Sequence, residues 1–156
     1  MQMLSKKSKY ALRALLALAR RRTSEPMLIA ELAEKENIPK KFLELILLEL
    51  KNKGILQSRK GKGGGYLLGR PADDISLGEV LRVLDGPIAP QPCVSRSAHH
   101  KCDECDDEET CGIRAVLKEV RDAAATILDG RTLADVLRET EQLQQQQHKR
   151  PLVYSI

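Results

Sequence analysis

Four cysteines carry the most versatile chemistry in this chain, and all of them fall within residues 87–111. Cys93, Cys102, Cys105 and Cys111 are separated by eight, two and five intervening residues. Thiolates gathered on one segment can ligate a metal, and free thiols can answer an oxidant. His99 and His100 lie between the first two thiols and could replace one of them, although in so polar a segment solvated imidazoles are the plainer expectation. The acidic run at 103–109 lacks the ordered oxygen spacing and the glycine of a calcium loop, so it reads as solvated surface. No Ser/His/Asp set or carboxylate pair stands at motif spacing. The chain is therefore not expected to be an enzyme.

A sensor needs something to act on, and charge shows where to look. Residues 1–70 carry a net +10 and residues 71–156 a net −6, within a total of +4. A basic half beside an acidic half fits a phosphate-binding surface confined to one end. Solvated helix faces alone would give the same imbalance. Aromatic residues make up only 3% of the chain, so the core must come from Leu, Ile, Val and Ala. The basic start imitates a secretion signal, but Arg13 cuts its apolar run below the roughly 7–15 residues such a signal needs. No stretch approaches the roughly 20 apolar residues of a membrane span. A cytoplasmic location with no membrane partner is expected, where thiols stay reduced unless a metal or a regulatory oxidation holds them.

Hydrophobic periodicity places the elements around the thiols. Leu12, Leu15, Leu16 and Ala19 share one face of a helix between about residues 5 and 21. A break at 23–26 precedes a short helix marked by Ile29, Leu32 and Ala33, ending near Asn37. Pro39 opens a third helix with the face Phe42, Leu43, Ile46, Leu47 and Leu50, and Gly54 stops it. Two short strands, 55–58 and 66–68, flank a tip rich in glycine and cations. The tip lacks the spacing of a nucleotide-binding P-loop. A helix-turn-helix followed by a cationic hairpin is a winged helix, so the fold class is mainly α with a two-stranded wing.

Ser76 and Glu79 have capping-box spacing at the start of a fourth helix, which Gly86 and Pro87 stop. Beyond the thiols, Ile113, Val116, Leu117, Val120, Ala124 and Ile127 form an amphipathic stripe. Such a stripe beyond a complete winged helix must be buried, either against a second copy of the chain, the economical partner, or back on its own domain. Thr132 and Asp135 cap a shorter helix bearing Val136 and Leu137, and a polar tail follows from Glu141, with an apolar end at 151–156. The expected organisation is a winged-helix DNA-binding domain at 1–86, a cysteine-rich sensor loop at 87–111, a dimerisation helix with its short successor at 112–140, and a tail at 141–156.

Four segments together carry a resemblance. They are L-S-K-K-S-K-Y-A-L-R-A-L at 4–15, I-P-K-K-F-L-E-L-I-L-L-E-L-K-N-K-G-I-L at 38–56, S-R-K-G-K-G-G-G-Y-L-L at 58–68 and G-E-V-L-R-V-L-D-G-P at 78–87. Over roughly residues 3–137 the chain resembles the IscR/NsrR/CymR family of dimeric winged-helix transcription regulators of bacteria. The resemblance implies a recognition helix at 42–53, with Lys40, Lys41 and Glu44 toward the major groove of double-stranded DNA. It implies a wing (Arg59, Lys60, Lys62, Gly63, Gly64) toward the minor groove, and phosphate contacts from the first helix (Lys6, Lys7, Lys9, Tyr10). It further implies a homodimer through the 113–127 helix, and in many members an iron–sulfur cluster held by three cysteines before that helix.

The sequence departs from that pattern in three places. Lys60 stands where the family usually has arginine before the first wing glycine, and lysine lacks arginine's planar fork. Arg114 stands where some relatives place a histidine ligand, and Lys9 where others use a carboxylate from the partner subunit. A fourth cysteine is present instead, and four thiolates can complete a two-iron or four-iron cluster. Cys93, Cys102, Cys105 and Cys111 are thus the expected metal ligands, with a histidine in place of Cys102 left open. Structural zinc on the same thiols is a second possibility. The third is a metal-free loop whose thiols oxidise, or which answers a regulatory protein or a sulfur metabolite.

Overall fold

The computed structural model describes residues 4–21 and 24–149. Six α-helices and one two-stranded antiparallel sheet are built there. Helix α1, Lys6–Arg20, starts at Ser5, whose hydroxyl accepts the Ser8 N–H at 3.0 Å. It buries Ala11, Ala14, Leu15 and Leu18, the three- and four-residue rhythm of one helix face. Helix α2, Ile29–Glu36, ends on Asn37 in the left-handed region at φ 51°, which closes its last turn. Helix α3, Lys40–Asn52, follows within three residues and turns Leu43, Ile46, Leu47 and Leu50 into the core. The short α2–α3 turn makes the pair a helix-turn-helix.

Strands β1, Leu56–Arg59, and β2, Gly65–Leu68, pair with Leu56 opposite Leu68 and Arg59 opposite Gly65. The hairpin is anchored at its base. Met27 and Tyr66 exchange two backbone hydrogen bonds, at 2.8 and 2.9 Å, tying the wing to the start of the helix-turn-helix. Gly65 makes this contact possible, because its φ is 142° and a Cβ there would run into the Met27 carbonyl. Gly65→Ala should therefore destabilise the protein by about 1–3 kcal/mol and free the wing from Met27. Thermal melting and proteolysis within 59–66 would report both effects, and a variant as stable and as resistant as the parent would contradict the anchor.

Helix α4, Leu77–Asp85, begins at Ser76, which accepts the Glu79 N–H at 3.1 Å. The expected return bond from Glu79 does not form. Its carboxylate pairs with Arg70 at 2.5 Å, a stronger charged partner than a backbone amide. Helix α5, Gly112–Asp129, lies against α4, held by a two-point Arg82–Asp129 pair at 2.6 and 2.9 Å.

Helix α6, Leu133–Lys149, corrects the sequence expectation twice. It is not short, because it continues through Gln144–Gln147, residues that propagate a helix well. Nor does it group with α5, since it returns to α1 and seals Leu133 into the same core as Leu15, Leu32 and Val80. Thr23 and the 151–156 end lie outside the described residues.

A complete reciprocal cap starts α6. Thr132 donates its N–H to Asp135 at 2.8 Å, and Asp135 donates its own to the Thr132 hydroxyl at 3.2 Å. The Thr132 N–H first, then its hydroxyl and Arg138, lower the Asp135 carboxyl from 3.8 to about 2. A depressed carboxyl contributes stability above its unfolded value and loses it as pH falls through about 2. The melting-temperature gap between the parent and Asp135→Asn should therefore narrow as pH drops from about 4 to about 2. A gap independent of pH would remove Asp135 from this role.

Candidate nucleic-acid interface and thiol centre

The cationic residues singled out by sequence do not all face solvent. Lys6 and Lys9 are exposed at the start of α1, with Lys6 5.6 Å from the centroid of the Tyr10 ring. Tyr10 is half-buried and packs edge-on against Phe42 of α3, at 5.7 Å between centroids, which fixes α1 against the helix-turn-helix. Lys40, Lys41 and Glu44 are exposed on the first turns of α3. Arg59, Lys60 and Lys62 are exposed at the wing, while Gly64 is buried where a Cβ would strike the Arg59 carbonyl. Gly63 turns the tip at φ 77°.

Lys7 is engaged within the fold. Its amine pairs with Glu49 of α3 at 2.5 Å and donates to the Leu84 carbonyl of α4 at 3.4 Å. It is a strut between three helices. Beside it, the Ser5 hydroxyl donates to Asp85 at 2.5 Å. Burial works against the Asp85 charge, but the Ser5 hydroxyl and amide and the Lys7 amine hold its carboxyl below the ordinary value. The end of α4 is thus bonded to the beginning of α1 and, through Lys7, to α3.

The thiols begin where α4 ends. Residues 92–94 form a 3-10 turn that buries Cys93 and Val94, and His100 donates its N–H back to the Pro92 carbonyl at 3.2 Å. The Cys105 N–H closes a turn on the Cys102 carbonyl at 3.2 Å. Cys111 is the N-cap of α5, its sulfur accepting the Arg114 N–H at 3.4 Å. Two arginines of α5 clasp the loop from below. Arg114 donates to the Cys93 carbonyl at 3.1 Å and to the Glu108 carbonyl at 3.4 Å, and Arg121 donates to the Val94 carbonyl at 2.6 Å.

The thiols lie near enough to act on one another's charge, Cys102 feeling both Cys93 and Cys105 and Cys105 feeling Cys111. Desolvation first, then the adjacent Cys93 thiol, raise Cys102 above its ordinary value. Desolvation and then Cys111 do the same to Cys105. No disulfide joins them, and among the described residues no three His, Cys, Asp or Glu side chains converge on one point. In number and kind the donors suit a thiolate-bound group, since four thiols lie on one short clasped segment. His99 is engaged with Glu108 at 3.0 Å and His100 is exposed. Within the acidic run, Asp107 accepts the Glu109 N–H and the Thr110 hydroxyl, each at 3.0 Å, which lowers its carboxyl and shapes the approach to Cys111.

Residues 4–139 match the model of the Rrf2 family, described as iron-dependent transcriptional regulators. The chain belongs to the Rrf2 family. An rrf2-like HTH-type transcriptional regulator of Rhodobacter capsulatus is 46% identical over 138 residues, covering 86% of this chain and 92% of that protein. The solved structure of CymR, the global cysteine regulator of Bacillus subtilis, is 32% identical with a TM-score of 0.72, covering 87% of this chain and 96% of that one. The structure of IscR from T. potens is 26% identical, also at 0.72, covering 92% and 91%. This Rrf2 protein is a winged helix-turn-helix transcription regulator, of a family of DNA-binding regulators rather than enzymes. No helix among its described residues is long and apolar enough to cross a membrane.

Sequence reasoning missed the clasp. Arg114 was notable only as the residue standing in place of a histidine, and Arg121 gave no signal, because their partners are backbone carbonyls with no sequence signature. It also passed over Leu45 and Leu48, which lie off the buried stripe of α3 and are 65% and 47% exposed.

Proposed function

We propose that this Rrf2 regulator is a cytoplasmic homodimer that represses transcription by gripping a two-fold-symmetric duplex with α3 and the wing of each subunit. An iron–sulfur cluster on Cys93, Cys102, Cys105 and Cys111 sets the grip. The observation that carries the proposal is that α5 begins on a cysteine. Whatever Cys111 binds acts directly on the first turn of the helix that would hold the two subunits together.

Not one of the 18 residues of α5 is buried in the single chain, and Ile113, Val116, Val120 and Ile127 are 40–74% exposed along it. A stripe of that kind, on a helix packed only along its other side, suits an isologous interface. A dimer would then set the spacing of two α3 helices, which must match half-sites about 34–36 Å apart. When bound, the cluster would supply reversible one-electron oxidation and loss of iron as the signal. This chain's residues carry the consequence onward. Arg114 and Arg121 transmit the order of the loop to α5, Arg82–Asp129 joins α5 to α4, and Asp85, Ser5, Lys7 and Glu49 join α4 to α1 and α3.

A second reading draws on the same four thiols, which are free and joined by no disulfide. A cluster-less loop could respond by thiol oxidation or by binding a regulatory protein or sulfur metabolite, and zinc could hold the same thiols structurally. Anaerobic purification with iron, sulfide and zinc assays separates these cases. Brown protein with iron and sulfide in equal amounts supports the cluster. Colourless protein with one zinc per chain, or with no metal, refutes it and selects between the alternatives.

A further inference from the structure

The outward face of α3 holds more than charge. At about 100° per residue, Lys41, Glu44, Leu45, Leu48 and Asn52 fall in one sector about 100° wide, with the two leucines about midway along the helix. Leu45 is 65% and Leu48 47% exposed, whereas Leu43, Leu47 and Leu50 of the same helix are sealed in the core. Scattered surface leucines need no explanation, so the surroundings must decide. Lys40, Lys41, Lys51 and Lys53 are exposed along α3, and Arg59, Lys60 and Lys62 are exposed at the wing. Glu44 is the one exposed acid on α3. A protein covering these leucines would have to match that ring of cations, whereas a duplex brings its own phosphates.

In the major groove one base alone offers an apolar group, the C5-methyl of thymine. We propose that Leu45 and Leu48 are specificity-determining residues that read thymine methyl groups in each half-site. The proposal rests on α3 being the recognition helix. Three residues apart, the leucines are about 4.5 Å from one another along the helix, against about 3.4 Å per base step. The thymines they contact are therefore one or two steps apart. Glu44, beside them, is suited to accept from a cytosine amine, giving the site a mixed polar and apolar signature.

The test begins with a preferred duplex selected by the full-length protein from a random library. Thymines in it are then replaced singly by deoxyuridine, which removes the methyl and keeps every hydrogen-bonding group. For the parent protein, one or two such replacements per half-site should weaken binding about three- to five-fold each, the worth of a buried methyl. Leu45→Ala and Leu48→Ala should each bind the thymine duplex more weakly and lose the preference for thymine over uracil at one position. Alanine favours helix, so both variants should fold, and circular dichroism checks this. Equal binding of both duplexes by the parent, with Lys41→Ala still lowering specific affinity, would overturn leucine readout and leave α3 as the recognition helix. If Lys41→Ala and Glu44→Ala were also silent, α3 would not read DNA at all, and both ideas would fall. A change of mass in solution in the leucine variants, without a thymine preference in the parent, would assign the leucines to a protein contact instead.

Discussion

Val116→Glu should yield a monomer that binds a palindromic duplex at least about 100-fold more weakly than the parent, the scale on which linking two half-site contacts acts. Val116 is 59% exposed in the single chain and lies between Ile113 and Val120 on the uncovered side of α5. In a two-fold interface each substitution appears twice, so two carboxylates would be buried against apolar neighbours without cations to pair them. Within one chain the same change should be nearly silent, because an exposed side chain leaves no cavity behind. Light scattering or sedimentation gives the mass, and fluorescence anisotropy on full-site and half-site duplexes gives the affinity. A dimer of undiminished strength would mean that another surface joins the subunits.

The second large effect is expected at Cys111, where fold and signal can be separated by one atom. Cys111→Ser keeps an acceptor at the N-cap of α5, and a hydroxyl caps better than a thiol, so stability should be held or improved by up to about 1 kcal/mol. Cys111→Ala should lose part of the cap. Neither variant can present a thiolate at this position, so both should lose visible absorbance and iron, and both should show altered operator affinity. Cys105→Ala, with no cap to lose, should match them in colour and binding while melting like the parent. If Cys111→Ser and Cys105→Ala kept the colour and the DNA affinity of the parent, the sensing role of the loop would be withdrawn.

Arg114 offers a check on how the loop speaks to α5. Its guanidinium spans the Cys93 carbonyl, the Glu108 carbonyl and, at 3.6 Å, the Glu108 carboxylate. Lysine reaches one of these at a time, since it lacks the planar fork. Arg114→Lys should therefore leave the thiols present but the loop looser, seen as faster amide exchange over 93–108 with little change in melting temperature.

Local chemistry was legible in the sequence wherever one segment supplied the whole reason. The helix-turn-helix follows from the Leu and Ile rhythm with Asn37 and Pro39 between its helices. The wing follows from a glycine-rich tip between two short apolar runs. The thiol loop follows from four cysteines inside 25 residues, and the amphipathic stripe of α5 from its three- and four-residue apolar rhythm. Each of these depends on the period of the backbone or on the conformational freedom of one residue type, which sequence states directly.

Tertiary structure alone decided which partner each side chain takes. Glu79 chose Arg70 over the amide of its own cap, Lys7 chose Glu49 over solvent, and the arginines at 114 and 121 chose carbonyls of the thiol loop. Leu133 entered the α1 core and drew α6 away from α5, and good helix formers then carried it on to Lys149. A pattern of polar and apolar residues fixes which face of an element turns inward. It cannot say which donors and acceptors, distant in the chain, end within 3 Å of one another, because that depends on how the packed faces orient the elements in space.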